Sequence, residues 1–205
     1  TRGAEIGTMS KIIETKDLYA ASYQQRVSQW FIALARELGL AQGRIEGIRI
    51  ASLVHDIGKI SLAIEILSKP SILTDIECNL IKNHPKTGYD ILKSIDFSCP
   101  IAQITLQHHE RINVSGYPNR LNGEEILMDT KIIEVADVVE AMYYHHPYRP
   151  ALGTDKAIKE IYKNKGTIYE PEVMASVLIY LRKKTLRLIN RLFSNEKFYL
   201  QDFDP

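Results

Sequence analysis

The sequence has few cysteines and no long apolar run, and each absence argues against a class of protein. Cys78 and Cys99 are too few for a disulfide scaffold, and neither belongs to a CxxC pair, so we expect a reducing, cytoplasmic compartment. No apolar run approaches the roughly 18 residues that a membrane span needs. Residues 1–16 also lack the apolar segment of a signal peptide. We therefore expect neither a membrane span nor secretion.

The chain also lacks an excess of charge of either sign. Lys and Arg number 26, Asp and Glu number 25, and the net charge is +1, which argues against a partner such as a nucleic acid polymer. The 205 residues, 45% of them hydrophobic, suit one domain with a core over about 16–181 and a C-terminal helical extension over 182–205. Because the chain begins at Thr1 without Met, we also expect a piece of a longer protein, with an N-terminal sensor domain as one option.

Apolar residues recur at three- and four-residue steps along most of the chain, which is the spacing of one face of a helix. Gly39 suits the C-terminal end of the first helix, and Thr74 with Glu77 forms a capping-box pattern. Pro85 is expected to end the third helix at His84. The pattern predicts an all-α protein with helices over about 18–38, 45–58, 74–84, 86–94, 100–109, 131–142, 155–163 and 172–193.

The segment from Glu110 to about Thr130 has no helical periodicity. A connection of this length is uncommon in a compact domain and is usually either functional or disordered. Within it, Gly116 is expected to supply an unusual backbone angle and Pro118 a rigid turn. A plain surface turn is the alternative interpretation.

Histidine and aspartate cluster at the predicted helix ends. His55 and Asp56 end one apolar helix, His108 and His109 end another, and Asp137 interrupts an otherwise apolar segment. An isolated buried carboxylate is costly, so such a group is exposed, paired or bound to metal. One histidine alone is more often a packed residue, but the whole set favours a shared cation. Imidazole and carboxylate suit Fe, Mn, Zn or Ni, and the lack of thiolates argues against a structural zinc site.

Five short motifs follow one another in a fixed order along the chain: His55-Asp-Ile-Gly-Lys59, His84-Pro85, His108-His-Glu110, Gly116-Tyr-Pro118 and Asp137. In this order they resemble the HD-GYP domain, a branch of the HD phosphohydrolase superfamily. The resemblance runs from about Lys16 to Leu181. It implies an all-helical HD-domain bundle with a long GYP loop between helices.

The resemblance also implies a role for each motif residue. Asp56 would bridge two divalent ions, with His55 and Asp137 on one ion and His84, His108 and His109 on the second. Iron and manganese are the usual metals of the family, and Zn, Ni and Mg stay open. Asp56 and Lys59 would be the catalytic residues. The substrate-binding residues would be Lys59, Tyr117, His146 and Arg149.

Several positions depart from the family pattern, and four of them bear on the site. Tyr23 stands where the family has a histidine on the first helix. Tyr19 stands where some members have a glutamate of a third metal site, so we expect no third metal. His146 replaces an arginine that contacts substrate phosphate, and a neutral imidazole attracts phosphate less than a permanent cation. Val114 replaces a glycine ahead of the GYP motif.

The resemblance implies an enzyme, a phosphodiesterase that hydrolyses cyclic di-GMP to linear pGpG or GMP in bacterial second-messenger signalling. Tyr23 and His146 motivate an alternative, a weak or inactive module that binds cyclic di-GMP or a partner diguanylate cyclase (GGDEF) domain. A third interpretation is an HD hydrolase for another cyclic dinucleotide or a nucleoside phosphate. Oligomeric state is open, with a homodimer as one option.

Overall fold

The computed structural model describes residues 7–9, 11, 20–143, 159 and 162–183. The described residues form helices and loops, with no strand among them beyond two isolated bridges, Asn113–Asn122 and Lys165–Tyr169. The predicted all-α class is confirmed. The helices are α1 (Ala20–Glu37), α2 (Gln42–Val54), α3 (Ile64–Leu67), α4 (Asp75–Ile81), α5 (His84–Leu92), α6 (Ile101–Gln107), α7 (Met128–Tyr143) and α8 (171–183), with a 3-10 helix (Ile57–Ser61) between α2 and α3.

Helix α1 presents the apolar face that its spacing predicts. It ends at Glu37, and Gly39 in the turn that follows has a φ of +69°, a conformation that costs glycine little and other residues more. The amide of Leu40 closes the end by donating to the Ala35 carbonyl, 3.0 Å away. The chain then turns directly into α2, which packs against α1.

Helix α4 begins with the predicted capping box. The Glu77 amide donates to Thr74 Oγ1 (3.3 Å), and the Thr74 amide donates to Glu77 Oε2 (2.7 Å). The helix ends at Ile81 rather than at the expected His84. Pro85 lies in the first turn of α5, where its missing N–H has no helical partner to lose, so this proline begins a helix instead of ending one.

The core lies where α1, α2, α6 and α7 meet. Helix α1 packs mainly against α2 and α7, α2 also packs against α6, and α5 packs against α6 and the 3-10 helix. The largest apolar side chains that these elements bury completely are Phe31, Leu34, Ile48, Leu92, Ile101, Ile104, Ile132, Ile133 and, from α8, Met174. Burying a side chain of this size stabilises the fold by about 1.5–3 kcal/mol. Helix ends from distant parts of the chain therefore meet at one side of a rigid core.

A close backbone approach holds the 3-10 helix against the start of α5. A Cβ atom on Gly58 would lie only 1.9 Å from the His84 carbonyl oxygen and 2.6 Å from the Gly88 nitrogen. Only a residue without a side chain fits there. This contact brings Asp56, which precedes the 3-10 helix, next to His84, which opens α5.

Parts of the predicted helical pattern lie outside the described residues. These are most of the helix expected over 155–163 and the portion of the last helix beyond 183, together with most of the proposed C-terminal extension. Among the helices that the structure describes, none combines the length and apolar character needed to cross a membrane.

Candidate metal centre

Four side chains converge on one point at the ends of helices. One ligand atom from each of Asp56, His84, His108 and His109 lies within 4.8 Å of the others. His84 opens α5, His108 follows the last residue of α6, and Asp56 lies between α2 and the 3-10 helix. His84 and His108 are 1% and 3% exposed, so the cluster is largely shielded from water.

The two oxygens of Asp56 face different neighbours. Oδ1 lies 3.2 Å from His84 Nε2 and 3.8 Å from His108 Nε2. Oδ2 lies 3.5 Å from His55 Nε2, and that nitrogen lies 3.9 Å from Asp137 Oδ1. The carboxylate therefore stands between a His55–Asp137 side and a His84–His108 side, which is the arrangement that a bridging carboxylate requires.

Each of three histidines has its Nδ1 atom beside a backbone carbonyl three residues earlier. His55 lies 2.7 Å from the Ser52 oxygen, and the equivalent distance is 2.6 Å for His84 to Ile81 and for His108 to Thr105. A carbonyl oxygen only accepts hydrogen bonds, so Nδ1 carries the proton in each ring. In a neutral ring fixed this way, Nε2 is the nitrogen with the lone pair, and it faces Asp56, as in most metal-binding histidines.

Burial and neighbouring charges set the protonation states that metal binding needs. Burial lowers the pKa of His108 and of His109 well below the usual range, and the neighbouring histidines add to this. Burial alone would raise the pKa of Asp56, but the Lys59 ammonium and His55 oppose it and hold this pKa well below its usual range. At neutral pH, His108 and His109 are neutral and Asp56 is ionised, as metal ligands must be.

The donor set fits a divalent cation. His84 Nε2 and His108 Nε2 lie 3.1 Å apart, and each ring has its Nδ1 atom beside a backbone carbonyl. Neutral rings in this tautomer would direct two Nε2 lone pairs and the Asp56 carboxylate at one point, where a cation would offset their mutual repulsion. Imidazole and carboxylate ligands without thiolate suit first-row divalent metals. The structure thus shows a histidine and aspartate cluster that can bind a divalent metal.

Lys59 lies at the edge of this cluster. Its Nζ atom is 2.7 Å from Asp56 Oδ2, and its side chain is 27% exposed. The lysine comes from the 3-10 helix, one turn after Asp56, so local backbone geometry alone places the pair. A cation that touches both the carboxylate and solvent is in reach of an anion that enters the site.

Tyr117 forms a wall beside His109. Their ring centroids are 4.7 Å apart and the planes are inclined by 27°. The Tyr117 amide donates to the His109 carbonyl (3.1 Å), which ties the GYP motif to the end of α6. Burial raises the pKa of the Tyr117 phenol, and Asp56 adds to the rise, so the group stays protonated. It is therefore a neutral ring that covers one side of His109.

Gly116 is needed for a different reason from the one expected. Its φ is not positive, and the described glycines that do have a positive φ are Gly39 and Gly166. Instead, a Cβ atom here would lie 2.4 Å from both the Arg111 nitrogen and the Glu110 Cα atom. The loop folds back so closely onto the chain after His109 that no side chain fits. The strained angle falls on Val114, which has a φ of +67°, rare for a β-branched residue.

Several predicted site residues lie beyond what the structure describes. His146 and Arg149 belong to the segment 144–158, and Tyr19 to 12–19. Tyr23 lies on the described backbone of α1, but its side chain is outside the description. The expected roles of these residues, and the absence of a third metal, therefore stay predictions.

Sequence reasoning missed a second set of buried polar residues around the centre. Glu110 was part of a motif but received no role. It is 0% exposed and accepts the amides of Asn119 (2.6 Å) and Leu121 (3.0 Å). Glu134 on α7, 1% exposed, was missed as well. The argument that singled out Asp137, a carboxylate among apolar residues, would have found Glu134 had it been applied one turn earlier.

Known proteins resemble this chain over most of its length. A family model described as "HD domain" matches residues 7–173. The cyclic di-GMP phosphodiesterase response regulator RpfG of Xanthomonas campestris is 34% identical over 175 residues, covering 84% of this chain and 46% of that protein. The 3'3'-cGAMP-specific phosphodiesterase 3 of Vibrio cholerae is 33% identical over 184 residues, covering 90% of this chain and 39% of that protein. The chain thus spans less than half the length of these relatives.

One solved structure extends the comparison to the fold. Bd1817, an HDG"Y"P protein from Bdellovibrio bacteriovorus, superposes with a TM-score of 0.64 over 86% of this chain and 61% of that one. The two sequences are 18% identical, so the likeness concerns the helical architecture alone.

Proposed function

The chain belongs to the HD domain family, in the HD-GYP branch that its ordered motifs match, and from this premise we propose that it is a metal-dependent phosphodiesterase that hydrolyses cyclic di-GMP to linear pGpG or GMP. The observation that carries the proposal is the Asp56 carboxylate, with His84 and His108 on one oxygen and His55 on the other. Two relatives, 34% and 33% identical to this chain, are named as phosphodiesterases of cyclic dinucleotides.

We propose two divalent ions, iron or manganese, bridged by Asp56. His55 and Asp137 would hold one ion, and His84, His108 and His109 would hold the second. Divalent ions held there would supply Lewis acidity, which makes water more acidic and offsets the charge that develops at phosphorus. Nitrogen and oxygen ligands do not select among Fe, Mn, Zn and Ni by themselves, so elemental analysis has to identify the metal.

The protein's own residues supply the rest of the site. The protonated Nδ1 atoms keep the histidine rings in one orientation, which removes the cost of reorienting them during the reaction. Lys59, held at 2.7 Å by Asp56, would contact a phosphate oxygen and stabilise the negative charge of the transition state. The Tyr117 ring, stacked on His109, would line the substrate-binding site. Arg149 and His146, which belong to a segment that the structure does not describe, would contact the substrate phosphates.

Cyclic GMP-AMP is a second candidate substrate. The relative of that specificity is 33% identical to this chain, and the relative of cyclic di-GMP specificity is 34% identical. Overall similarity therefore does not separate the two substrates, and the roles proposed above for the site residues concern metal and phosphate rather than the nucleobase. The nucleobase preference has to be measured.

The test is hydrolysis by the purified, metal-analysed protein. With Mn²⁺ or Fe²⁺ supplied, we expect linear dinucleotide or GMP to appear from cyclic di-GMP, and cyclic GMP-AMP is assayed in parallel. The Asp56→Asn variant removes the bridging charge and serves as the inactive control. A metal-loaded wild-type protein that binds cyclic di-GMP, or a diguanylate cyclase domain, but leaves both dinucleotides intact would identify a silent binding module instead.

A further inference from the structure

Two residues that flank the histidine pair reach across to α7, the helix that carries Asp137. Gln107 precedes His108 and is 3% exposed. Its Oε1 accepts the Leu127 amide (3.0 Å) and the Thr130 hydroxyl (3.4 Å), while its Nε2 donates to the Glu125 carbonyl (3.2 Å). This one side chain joins the end of α6 to the first turn of α7 and to the segment that leads into it.

Arg111 makes the second connection from the other side of the histidine pair. Its Nη1 lies 2.6 Å from Glu134 Oε1, and its guanidinium lies 5.7 Å from the centre of the Tyr169 ring. Glu134 is almost wholly buried, and neither of its oxygens has a well-aligned hydrogen bond, so the close contact with the Arg111 guanidinium is its main polar interaction within the described part of the chain. Glu134 precedes Asp137 by three residues and lies on the same face of α7.

These connections matter because α7 makes little other contact with α6. Helix α7 packs mainly against α1 and touches α6 and α2 only over short stretches. Yet the candidate centre needs Asp137 from α7 and the histidine pair from the end of α6 at a fixed separation. An error of about 1 Å in such an arrangement is enough to impair a metal site.

We propose that Gln107 and Arg111 are positioning residues that hold α7, and with it Asp137, in register with His108 and His109. The proposal rests on the metal-dependent function proposed above. Neither side chain needs to touch metal or substrate, since each acts through the helix that it holds. The arrangement resembles the outer contacts that orient metal ligands in other proteins, except that here they orient a whole helix.

The main variant is Gln107→Met, which keeps the side-chain length and removes all three hydrogen bonds. Gln103→Met is the matched control, because Gln103 lies one turn earlier on α6 and lines a surface pocket between α5 and α6. Arg111→Met, at a partly exposed side chain, is a second variant in case the first fails to fold. For each protein we would measure Mn²⁺ affinity by calorimetry after chelator treatment, and thermal unfolding without metal.

We expect Gln107→Met and Arg111→Met to bind Mn²⁺ about 10- to 100-fold more weakly than the wild type, in the range found for outer contacts of metal sites. Gln103→Met should match the wild type. At saturating Mn²⁺, kcat should fall, while KM should stay within about twofold of the wild-type value, because the cationic side chains expected to bind the substrate stay in place.

A lower unfolding temperature with unchanged Mn²⁺ affinity in both variants would overturn the proposal, because the two residues would then serve stability alone. So would a wild-type chain that binds no Mn²⁺. A wild type that binds Mn²⁺ and hydrolyses neither dinucleotide would overturn the proposed function instead, and the affinities of the variants would still decide the role of Gln107 and Arg111.

Discussion

Tyr117 lies stacked on His109, with the two ring centroids 4.7 Å apart, and this contact joins the loop to the histidine cluster. The loop backbone repeats the connection, since the Tyr117 amide donates to the His109 carbonyl. The loop is therefore part of the site's wall, and changes in it should affect substrate binding before they affect metal binding.

Replacing the ring tests this role. We expect Tyr117→Ala to raise KM for the cyclic dinucleotide about 10-fold, equivalent to the ~1.5 kcal/mol that an aromatic contact contributes. Tyr117→Phe should stay within about twofold of the wild type, because the raised pKa of the phenol leaves only a neutral ring to preserve. Steady-state kinetics separate the two variants. Equal KM values for alanine and phenylalanine would exclude the ring as a wall of the site.

Lys59 should affect turnover more than metal content. We expect Lys59→Met to lower kcat by about 100- to 1,000-fold, as found when one donor to a transition-state charge is removed. The amount of metal bound per chain should stay close to the wild-type value, because the proposed ligands on both sides of Asp56 remain. Lys69→Met is the control, since Lys69 pairs with Glu77 at the start of α4. Loss of both metal and activity would instead make Lys59 a support for Asp56.

Two buried glutamates should make stability depend on pH. Burial raises the pKa of Glu134 to about 8 and of Glu140 to about 7, although Arg111 and Arg26 oppose the respective shifts. Both folded-state values exceed the usual 4.5, so folding favours the protonated forms. The resulting stability is complete below about pH 4.5 and is lost as the pH rises through 7 to 8.

Urea unfolding of the metal-free protein at pH 5 and pH 8.5 measures this dependence. We expect Glu134→Gln and Glu140→Gln each to flatten the fall in unfolding free energy between the two values. Asp129→Asn is the control, because Asp129 lies on α7 like the two glutamates and pairs with Arg44 of α2. A slope in both glutamine variants identical to that of the wild type would contradict the assignment.

Glu110 should hold the loop in place. Glu110→Ala leaves the amides of Asn119 and Leu121 without their acceptor, so we expect a loss of about 2–5 kcal/mol in unfolding free energy. Between those two residues, Arg120 has a φ of +56° and should become a preferred site of tryptic cleavage. Glu124→Ala, at an exposed position of the same loop, should change neither measurement. Resistance of the Glu110 variant to trypsin would argue that the loop holds itself.

Val114 offers a stabilising change. Its left-handed φ of +67° costs a side chain about 1–2 kcal/mol, and the residue is 47% exposed, so little packing is lost on removal. We expect Val114→Gly to raise the free energy of unfolding by about 1 kcal/mol. Val114→Ala keeps a Cβ atom and should gain less. Thermal or urea unfolding of the two variants provides the comparison.

Local signals predicted most of the helices and the motif residues. The Thr74–Glu77 capping box and the Gly39 helix end depend on neighbours within a few residues, so the sequence alone contains them. The position of a proline relative to a helix is harder to predict. Pro85 begins α5 instead of ending α4, because a proline fits the first turn of a helix as well as the residue after one.

The sequence by itself determined the helical class and the residues able to bind a cation, because periodicity and residue chemistry are local properties. Only the tertiary structure decided which oxygen of Asp56 faces which histidine, why residue 116 must be glycine, and how Gln107 and Arg111 join the histidine pair to α7. Those relationships join residues that are far apart in the sequence and are brought into contact by packing on a shared core. The spacing of residues along the chain does not give the distances between them.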